Sequence, residues 1–175
     1  MRIHTRTLIK VAMLAALAFG LMYLEFSVLP GYPFLQYDPG DVPALLGTFS
    51  MGPLAGALIQ VIKCVIFFLS GKDEAGWIGT AANLVTGLSF VVPAGLAYWR
   101  HRTRAGAMVA LAVGSLSMIV AMAAANYLIF LPLWGVPRSA ALPMITGGII
   151  PFNAIKAAIS SVLTIVLYKR VRPLL

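Results

Sequence analysis

The sequence predicts an all-α polytopic membrane protein with six transmembrane helices. Of its 175 residues, 61% are hydrophobic and only 10% are charged, whereas soluble domains carry about 25% charged residues. Most of the apolar runs are long enough to cross a bilayer. The basic residues cluster at the ends of these runs, as topology signals do. We therefore expect a single membrane domain over residues 1–175, with no room for a soluble catalytic domain.

The first predicted span covers residues 7–24, and its apolar run from Val11 follows three basic residues, an arrangement that also resembles a secretory signal. Because no small-residue cleavage site follows the apolar run, we expect this span to be retained. Ala12 and Ala16 are about one helical turn apart and share a face. Small residues on one face allow another helix to approach closely. That helix could belong to the same protein or to a partner, and the spacing leaves both open.

Residues 26–41 contain three prolines and two glycines, which predicts a loop. The loop is unusually rich in aromatic residues: Phe26, Tyr32, Phe34 and Tyr37. These rings could form a belt at the membrane interface. Alternatively, the loop could be a lid that places ring faces against a planar ligand.

The apolar stretch from residue 42 to residue 70 is interrupted at Met51-Gly52-Pro53, and the basic residues indicate that it forms two spans. Two spans place nine basic residues on one side and only Lys72 and Arg138 on the other, whereas one span violates the positive-inside rule. The nine are Arg2, Arg6, Lys10, Arg100, Arg102, Arg104, Lys169, Arg170 and Arg172. This division predicts that both termini are cytoplasmic.

The second span, residues 42–50, has only nine residues, which corresponds to about 14 Å of helix. This length is too short for an ordinary bilayer core. A short helix is tolerated where it borders a protein-lined cavity. We therefore expect an outward-facing cavity beside this helix, below the aromatic loop.

Polar side chains occur in the remaining spans, which are predicted over residues 53–69, 77–99, 105–131 and 143–175, with residues 133–142 as an outer loop. Lys63 is expected to form a structural ion pair with Glu25, Asp38 or Asp41. Asn126 is an amide among small apolar residues and needs hydrogen-bond partners.

The last span carries the most informative pair, because Asn153 and Lys156 are three residues apart and project from one helix face. A charged side chain at the centre of a membrane helix costs about 2.5–3.5 kcal/mol on insertion scales. Lys156 therefore needs a partner, a cavity or a ligand. We expect Asn153 and Lys156 to contact something polar.

Several function classes are disfavoured. The phosphate-loop pattern, the common metalloprotease and serine-hydrolase motifs and paired intramembrane carboxylates are absent from the sequence, so we expect no enzyme. A single cysteine, Cys64, gives neither a disulfide nor a cysteine metal cluster, and we expect no metal site. The net charge of +8 reflects topology signals and does not indicate nucleic-acid binding. A self-sufficient secondary carrier would normally show internal repeats and an intramembrane coupling carboxylate.

Taken in order, several motifs resemble one family of membrane proteins. They are Leu24-Glu25-Phe26, Pro30, residues 37–45, Gly52-Pro53, Lys63, Asn83, Asn126-Tyr127, Pro151-Phe152-Asn153 and Lys156. This pattern resembles the substrate-binding S-components of energy-coupling factor (ECF) transporters, and within them the riboflavin-binding type. The match covers nearly the whole chain, and its most specific part is the Pro-Phe-Asn-x-x-Lys motif.

The resemblance implies a six-helix S-component bundle in the cell membrane, with a short second helix and a loop after helix 1 that caps the vitamin pocket. It implies binding of riboflavin as the transported ligand, with no cofactor and no ATP hydrolysis. The partners would be a membrane coupling protein and two ABC ATPase subunits, with Ala12 and Ala16 at the docking face. Candidate substrate-binding residues are Asn126, Asn153, Lys156, Asn83, Tyr37 and Asp38. Pantothenate, folate or thiamine as the ligand, or a secondary carrier, remain alternatives.

Overall fold

The computed structural model describes residues 5–72 and 75–171, and it has the predicted all-α architecture of six successive spans. The first four are α1 (Thr5–Met22), α2 (Asp41–Met51), α3 (Pro53–Leu69) and α4 (Gly76–Arg100). The fifth joins α5 (Arg104–Ala125), a π-helical turn (Asn126–Phe130) and α6 (Leu131–Leu133). The sixth joins α7 (Arg138–Met144), a second π-helical turn (Ile145–Ile149) and α8 (Ile150–Val171). Arg2 and Arg172, two of the basic residues used to predict the topology, lie outside the described residues.

Four of these spans are long and apolar enough to cross a membrane: the first, fourth, fifth and sixth. Helix α3 is shorter, with 17 residues, and α2 has only 11. Helix α2 packs against α1, α3, α4 and α8, and every residue from Asp41 to Phe49 is buried. Its short length is accommodated because protein, rather than lipid, surrounds it.

The break between α2 and α3 occurs at Gly52, as predicted, and depends on glycine. Gly52 has φ 101°, in the region that glycine adopts without strain. A Cβ at this position would lie 2.6 Å from the ring of Trp99. The chain therefore reverses between two separate helices at a point where no larger residue fits.

The connection between α1 and α2 contains a small hairpin, which corrects our prediction of a plain loop. Strand β1 (Phe26–Ser27) pairs antiparallel with β2 (Gln36–Tyr37). The rings of Phe26 and Tyr37, which face each other in this register, make an edge-to-face contact with centroids 5.5 Å apart. Strands of two residues give too little alternation to be recognised in a sequence rich in proline.

The sixth span begins at Arg138, so residues 138–142 are helical and do not belong to the predicted outer loop. The predicted span starts five residues later, at Pro143. The boundary lies at Pro137 instead, which precedes α7 in an extended conformation. Pro143 lies inside the helix, directly before the second π-helical turn.

The two ends of the bundle differ in chemistry. At one end, the ring of Phe49 lies 4.5 Å from that of Tyr98 and 5.9 Å from that of Tyr168, next to the basic segment 100–104. At the other end, the hairpin packs on the sixth span, where the ring of Tyr32 lies against Gly148. The fold therefore separates a basic end from an end covered by the hairpin.

Candidate ligand-binding site

A cavity of about 430 Å³ lies at the hairpin end, between the hairpin, the first turns of α4 and the two π-helical turns. This volume is in the range of small-molecule sites, which combine apolar walls with a few polar groups. The polar lining residues are Gln36, Asn83, Thr86, Asn126, Asn153 and Lys156. The apolar ones are Phe34, Leu35, Ala75, Gly79, Ala82, Met122, Leu131, Trp134, Val136, Met144, Ile149 and Phe152.

Both π-helical turns border this cavity. Asn126 is the first residue of one π turn, and Ile149 is the last residue of the other. Such turns insert one extra residue into a helix and occur frequently at functional sites. Here they bring Asn126 and Asn153 to the cavity from neighbouring spans.

Asn126 and Asn153 are held in the same way. Each donates from Nδ2 to the backbone carbonyl four residues earlier, at 2.8 Å in both cases: Met122 O and Ile149 O. Their exposed fractions are only 5% and 2%. Because one of the two N–H groups on each Nδ2 is used within the helix, the amide oxygen and the second N–H are available for a ligand. Asn153 Oδ1 is buried and has no hydrogen-bond partner among the described residues.

Asn83 reaches the cavity from α4, and its amide nitrogen is likewise bonded within the protein while, in the part of the chain that the structure describes, its amide oxygen is not. Its Nδ2 donates to Asp38 Oδ2 at 3.3 Å, and its buried Oδ1 has no hydrogen-bond partner within the described part of the chain. A buried acceptor without a partner costs about 1–3 kcal/mol. Asn83 and Asn153 therefore give the cavity two acceptors suited to N–H or O–H donors.

Four charged residues form a buried ion cluster next to the cavity: Asp38, Asp41, Lys63 and Lys156. Lys63 Nζ lies 2.6 Å from Asp41 Oδ1 and 3.7 Å from Asp38 Oδ1. Lys156 Nζ lies 2.8 Å from Asp38 Oδ2 and 3.3 Å from Asp41 Oδ2. The second of these Lys156 contacts is an ion pair without hydrogen-bond geometry. The predicted structural ion pair of Lys63 is confirmed, with Asp41 as the nearer of two carboxylate partners.

Neutral groups support the cluster. Gln60 Nε2 donates to Asp41 Oδ1 at 3.1 Å, and the backbone N–H of Gly40 donates to Asp38 Oδ1 at 3.0 Å. Burial alone would raise the pKa of Asp38, which belongs to the loop before α2, but Lys156 and Lys63 hold that pKa well below its usual range. The loop is thus attached to α3 and α8 through a carboxylate that stays ionised.

Lys156 belongs to both the cavity and the ion cluster. It lines the cavity, as expected for a ligand contact, yet its ammonium already faces two carboxylates. We did not predict this pairing from the sequence. The available signal was that Asp38 and Asp41 are only three residues apart, with Asp38 just before a short buried helix and Asp41 at its first position.

Tyr37 and Asp38 do not belong to the cavity wall. Tyr37 is buried, and its hydroxyl lies 3.4 Å from Ser160 Oγ, whereas Asp38 is bound to Lys156. The loop contributes Phe34 to the cavity instead, and Trp134 is an aromatic lining residue that we did not single out. A direct ligand contact by Tyr37 or Asp38 stays a prediction, and the geometry supports an indirect role for Asp38 through Lys156.

Comparison with known proteins adds the family to this geometry. The family model described as "ECF transporter, substrate-specific component" matches residues 6–168. The chain belongs to this family. The S-component assignment made from the sequence motifs is therefore confirmed, and the protein is a membrane-embedded component of a transporter.

Relatives and a solved structure agree with this assignment. The riboflavin transporter RibU of Staphylococcus aureus is 33% identical over 173 residues, covering 95% of this chain and 90% of the relative. The riboflavin transporter FmnP of Bacillus subtilis is 32% identical and covers 96% and 93%. A solved structure described as the S component of a bacterial ECF transporter superposes with a TM-score of 0.85 at 33% identity, covering 97% of this chain and 96% of that one.

In this S-component, Ala12 and Ala16 lie on the exposed face of α1, away from the cavity. The internal face of the same helix uses other small residues, Ala15 and Ala18, which are buried. The exposed pair lies beside Met13, whose exposed fraction is 68%. This placement leaves the small-residue face accessible to a partner helix.

Proposed function

We propose that this S-component binds riboflavin from outside the cell and mediates its uptake together with a separate coupling module. The observation that carries the proposal is the apolar cavity on which Asn83, Asn126, Asn153 and Lys156 converge. The choice of riboflavin as the ligand is based on the relatives named as riboflavin transporters. The proposal is tested by titrating the purified protein with riboflavin and measuring the quenching of flavin fluorescence.

The chemistry of riboflavin suits these walls. Its flat ring system is apolar on both faces and carries carbonyl and N–H groups along one edge, with a chain of hydroxyls attached. The buried amide oxygens of Asn83 and Asn153 accept from N–H or O–H groups. Lys156 Nζ has three N–H donors and two carboxylate partners, so one N–H can donate a hydrogen bond to a ligand carbonyl or hydroxyl.

The charge balance favours a neutral ligand over the alternatives. The ion cluster contains two carboxylates and two ammonium groups, and Lys156 is the only charged residue among those that line the cavity in the described part of the chain. An anionic vitamin such as pantothenate or folate would find no surplus cation. A cationic vitamin such as thiamine would find no uncommitted carboxylate. Riboflavin carries no net charge.

The coupling module is the second part of the proposal. An S-component of this kind contributes binding and no catalytic step, and it would act with an ECF transmembrane coupling protein and two ABC ATPase subunits. Both termini would be in the cytoplasm of a cell-membrane protein, so that the cavity opens outward.

The orientation predicts opposite accessibility of two positions. Arg102 lies beside the basic end, whereas Arg138 begins α7 at the hairpin end. In a variant lacking Cys64, a cysteine at position 138 should react with a membrane-impermeant thiol reagent in intact cells. A cysteine at position 102 should react only after permeabilisation. Labelling of both positions from the same side would contradict the topology.

The exposed alanine pair predicts a separation of uptake from binding. Replacing Ala12 and Ala16 with leucine should abolish uptake, because bulky side chains prevent the close helix approach that small residues allow. Vitamin affinity should stay within a few-fold of the wild type, because neither alanine lines the cavity. Ala112→Leu, at an exposed position on α5, is the matched control. A comparable loss of affinity in the double variant would show that these alanines support the pocket.

A further inference from the structure

A second cavity, of about 240 Å³, lies at the basic end of the bundle, far from the hairpin. Its floor is aromatic: Phe49, Tyr98 and Tyr168 contact one another, and the hydroxyls of Tyr98 and Tyr168 lie 2.9 Å apart. Because one of these hydroxyls donates to the other, the floor presents mainly ring surface to an occupant.

The side wall and the rim of this cavity differ. Ala107, Met108 and Ile165 form an apolar side wall, and Met108 and Ile165 are exposed at 56% and 40% on the outer, lipid-facing surface of the helices. Arg102 and Arg104 form the rim, with the Arg102 guanidinium 4.1 Å from the centre of the Trp99 ring. The cavity thus joins an apolar interior to a cationic edge at the membrane surface.

We propose that this cavity, between the α4–α5 turn and the end of α8, binds an anionic phospholipid. One acyl chain would lie along Met108 and Ile165 over the aromatic floor, and the phosphate of the headgroup would be held by Arg102 and Arg104. Free phosphate does not suit the site, because the interior is apolar and its buried Thr164 hydroxyl already donates to Ser160 O. Basic pockets between transmembrane helices on the cytoplasmic side bind anionic headgroups in this manner.

The headgroup preference should be measurable. A basic residue near a membrane surface contributes about 1 kcal/mol toward an anionic lipid, so two arginines should favour it by roughly 30-fold. The protein is purified in detergent, offered an equimolar mixture of phosphatidylglycerol and phosphatidylcholine, and the retained lipids are counted by native mass spectrometry. We expect wild type to retain phosphatidylglycerol preferentially.

Three variants distinguish lipid binding in this cavity from a general attraction of anionic lipids to a basic protein. Arg102→Gln with Arg104→Gln should remove most of the preference, whereas Arg138→Gln, which removes an exposed arginine at the opposite end, should leave it unchanged. Ala107→Phe should reduce retention of both lipids, because it fills the cavity without changing the charge. Monodisperse elution and an unchanged unfolding temperature confirm that each variant is folded.

Three results would overturn the proposal. The first is equal retention of the two lipids by the wild-type protein. The second is an equal loss of the preference for phosphatidylglycerol in the Arg138→Gln and the Arg102→Gln/Arg104→Gln variants. The third is unchanged lipid retention in a folded Ala107→Phe variant. The first would also be the result if the apolar side chain of a partner protein were the natural occupant.

Discussion

Replacing Asp41 with asparagine is expected to destabilise this protein more than any other single change in the ion cluster. Asp41 is fully buried, and its carboxylate lies 2.6 Å from Lys63 Nζ and 3.3 Å from Lys156 Nζ. The variant leaves two buried ammonium groups facing one carboxylate. Breaking a buried pair by removing one partner costs about 3–5 kcal/mol. A large fall in the unfolding temperature of the detergent-solubilised protein, with loss of ligand binding, is the expected result.

A double variant separates charge imbalance from loss of packing. Asp41→Asn combined with Lys63→Met removes one charge of each sign and leaves the Asp38–Lys156 pair, which lies 2.8 Å apart. Removing one partner of a buried ion pair is costly because it leaves an uncompensated buried charge, and removing both partners avoids that cost. The double variant should therefore be more stable than Asp41→Asn alone. If the double variant is less stable than the wild type by the sum of the losses in the Asp41→Asn and Lys63→Met single variants, the cluster does not act as a balanced unit.

Lys156→Met is expected to cause the largest loss of riboflavin affinity among variants of the cavity wall. The substitution removes the cationic donor of the cavity while keeping the length of the side chain. Losing one buried hydrogen-bond partner costs about 1–3 kcal/mol, or roughly a 5- to 150-fold weaker binding constant. The change also releases Asp38, which Lys156 holds at 2.8 Å, so the loop over the cavity should be less firmly attached.

Asn153→Ala and Thr146→Val are the comparison variants for Lys156→Met. Asn153→Ala removes a cavity acceptor without touching the ion cluster, and should weaken binding by roughly 5- to 150-fold through the lost hydrogen bond alone. Thr146→Val alters an exposed hydroxyl on the same span, which donates to the carbonyls of Leu142 and Pro143 in its own helix, and this variant should bind normally. If Lys156→Met binds as tightly as wild type, Lys156 is structural and our interpretation of the last span is wrong.

The sequence was sufficient for the features that depend on local composition. Charge distribution predicted two helices in residues 42–69, and the break at Gly52 is where the structure has it. The cost of an unpaired intramembrane charge predicted a partner for Lys63, and the cluster supplies it. These inferences needed only the hydrophobic length of a span and the chemistry of a single side chain.

The remaining features depend on contacts between residues distant in sequence. Lys156 and Asp38 are 118 residues apart, and no periodic pattern links them. The two π-helical turns insert residues that an apolar run does not reveal, and they decide that Asn126 and Asn153 meet at one cavity. The hairpin was missed because its strands have two residues each.

The central claim is that the hairpin-end cavity binds riboflavin as an uncharged ligand, and a competition titration tests it most directly. Purified protein is titrated into riboflavin while flavin fluorescence is followed, first alone and then with an excess of pantothenate, folate or thiamine. We predict saturable quenching that none of the three competitors prevents. Absence of quenching by the wild-type protein, together with binding of one of the other vitamins, would contradict the riboflavin assignment while leaving the S-component fold intact.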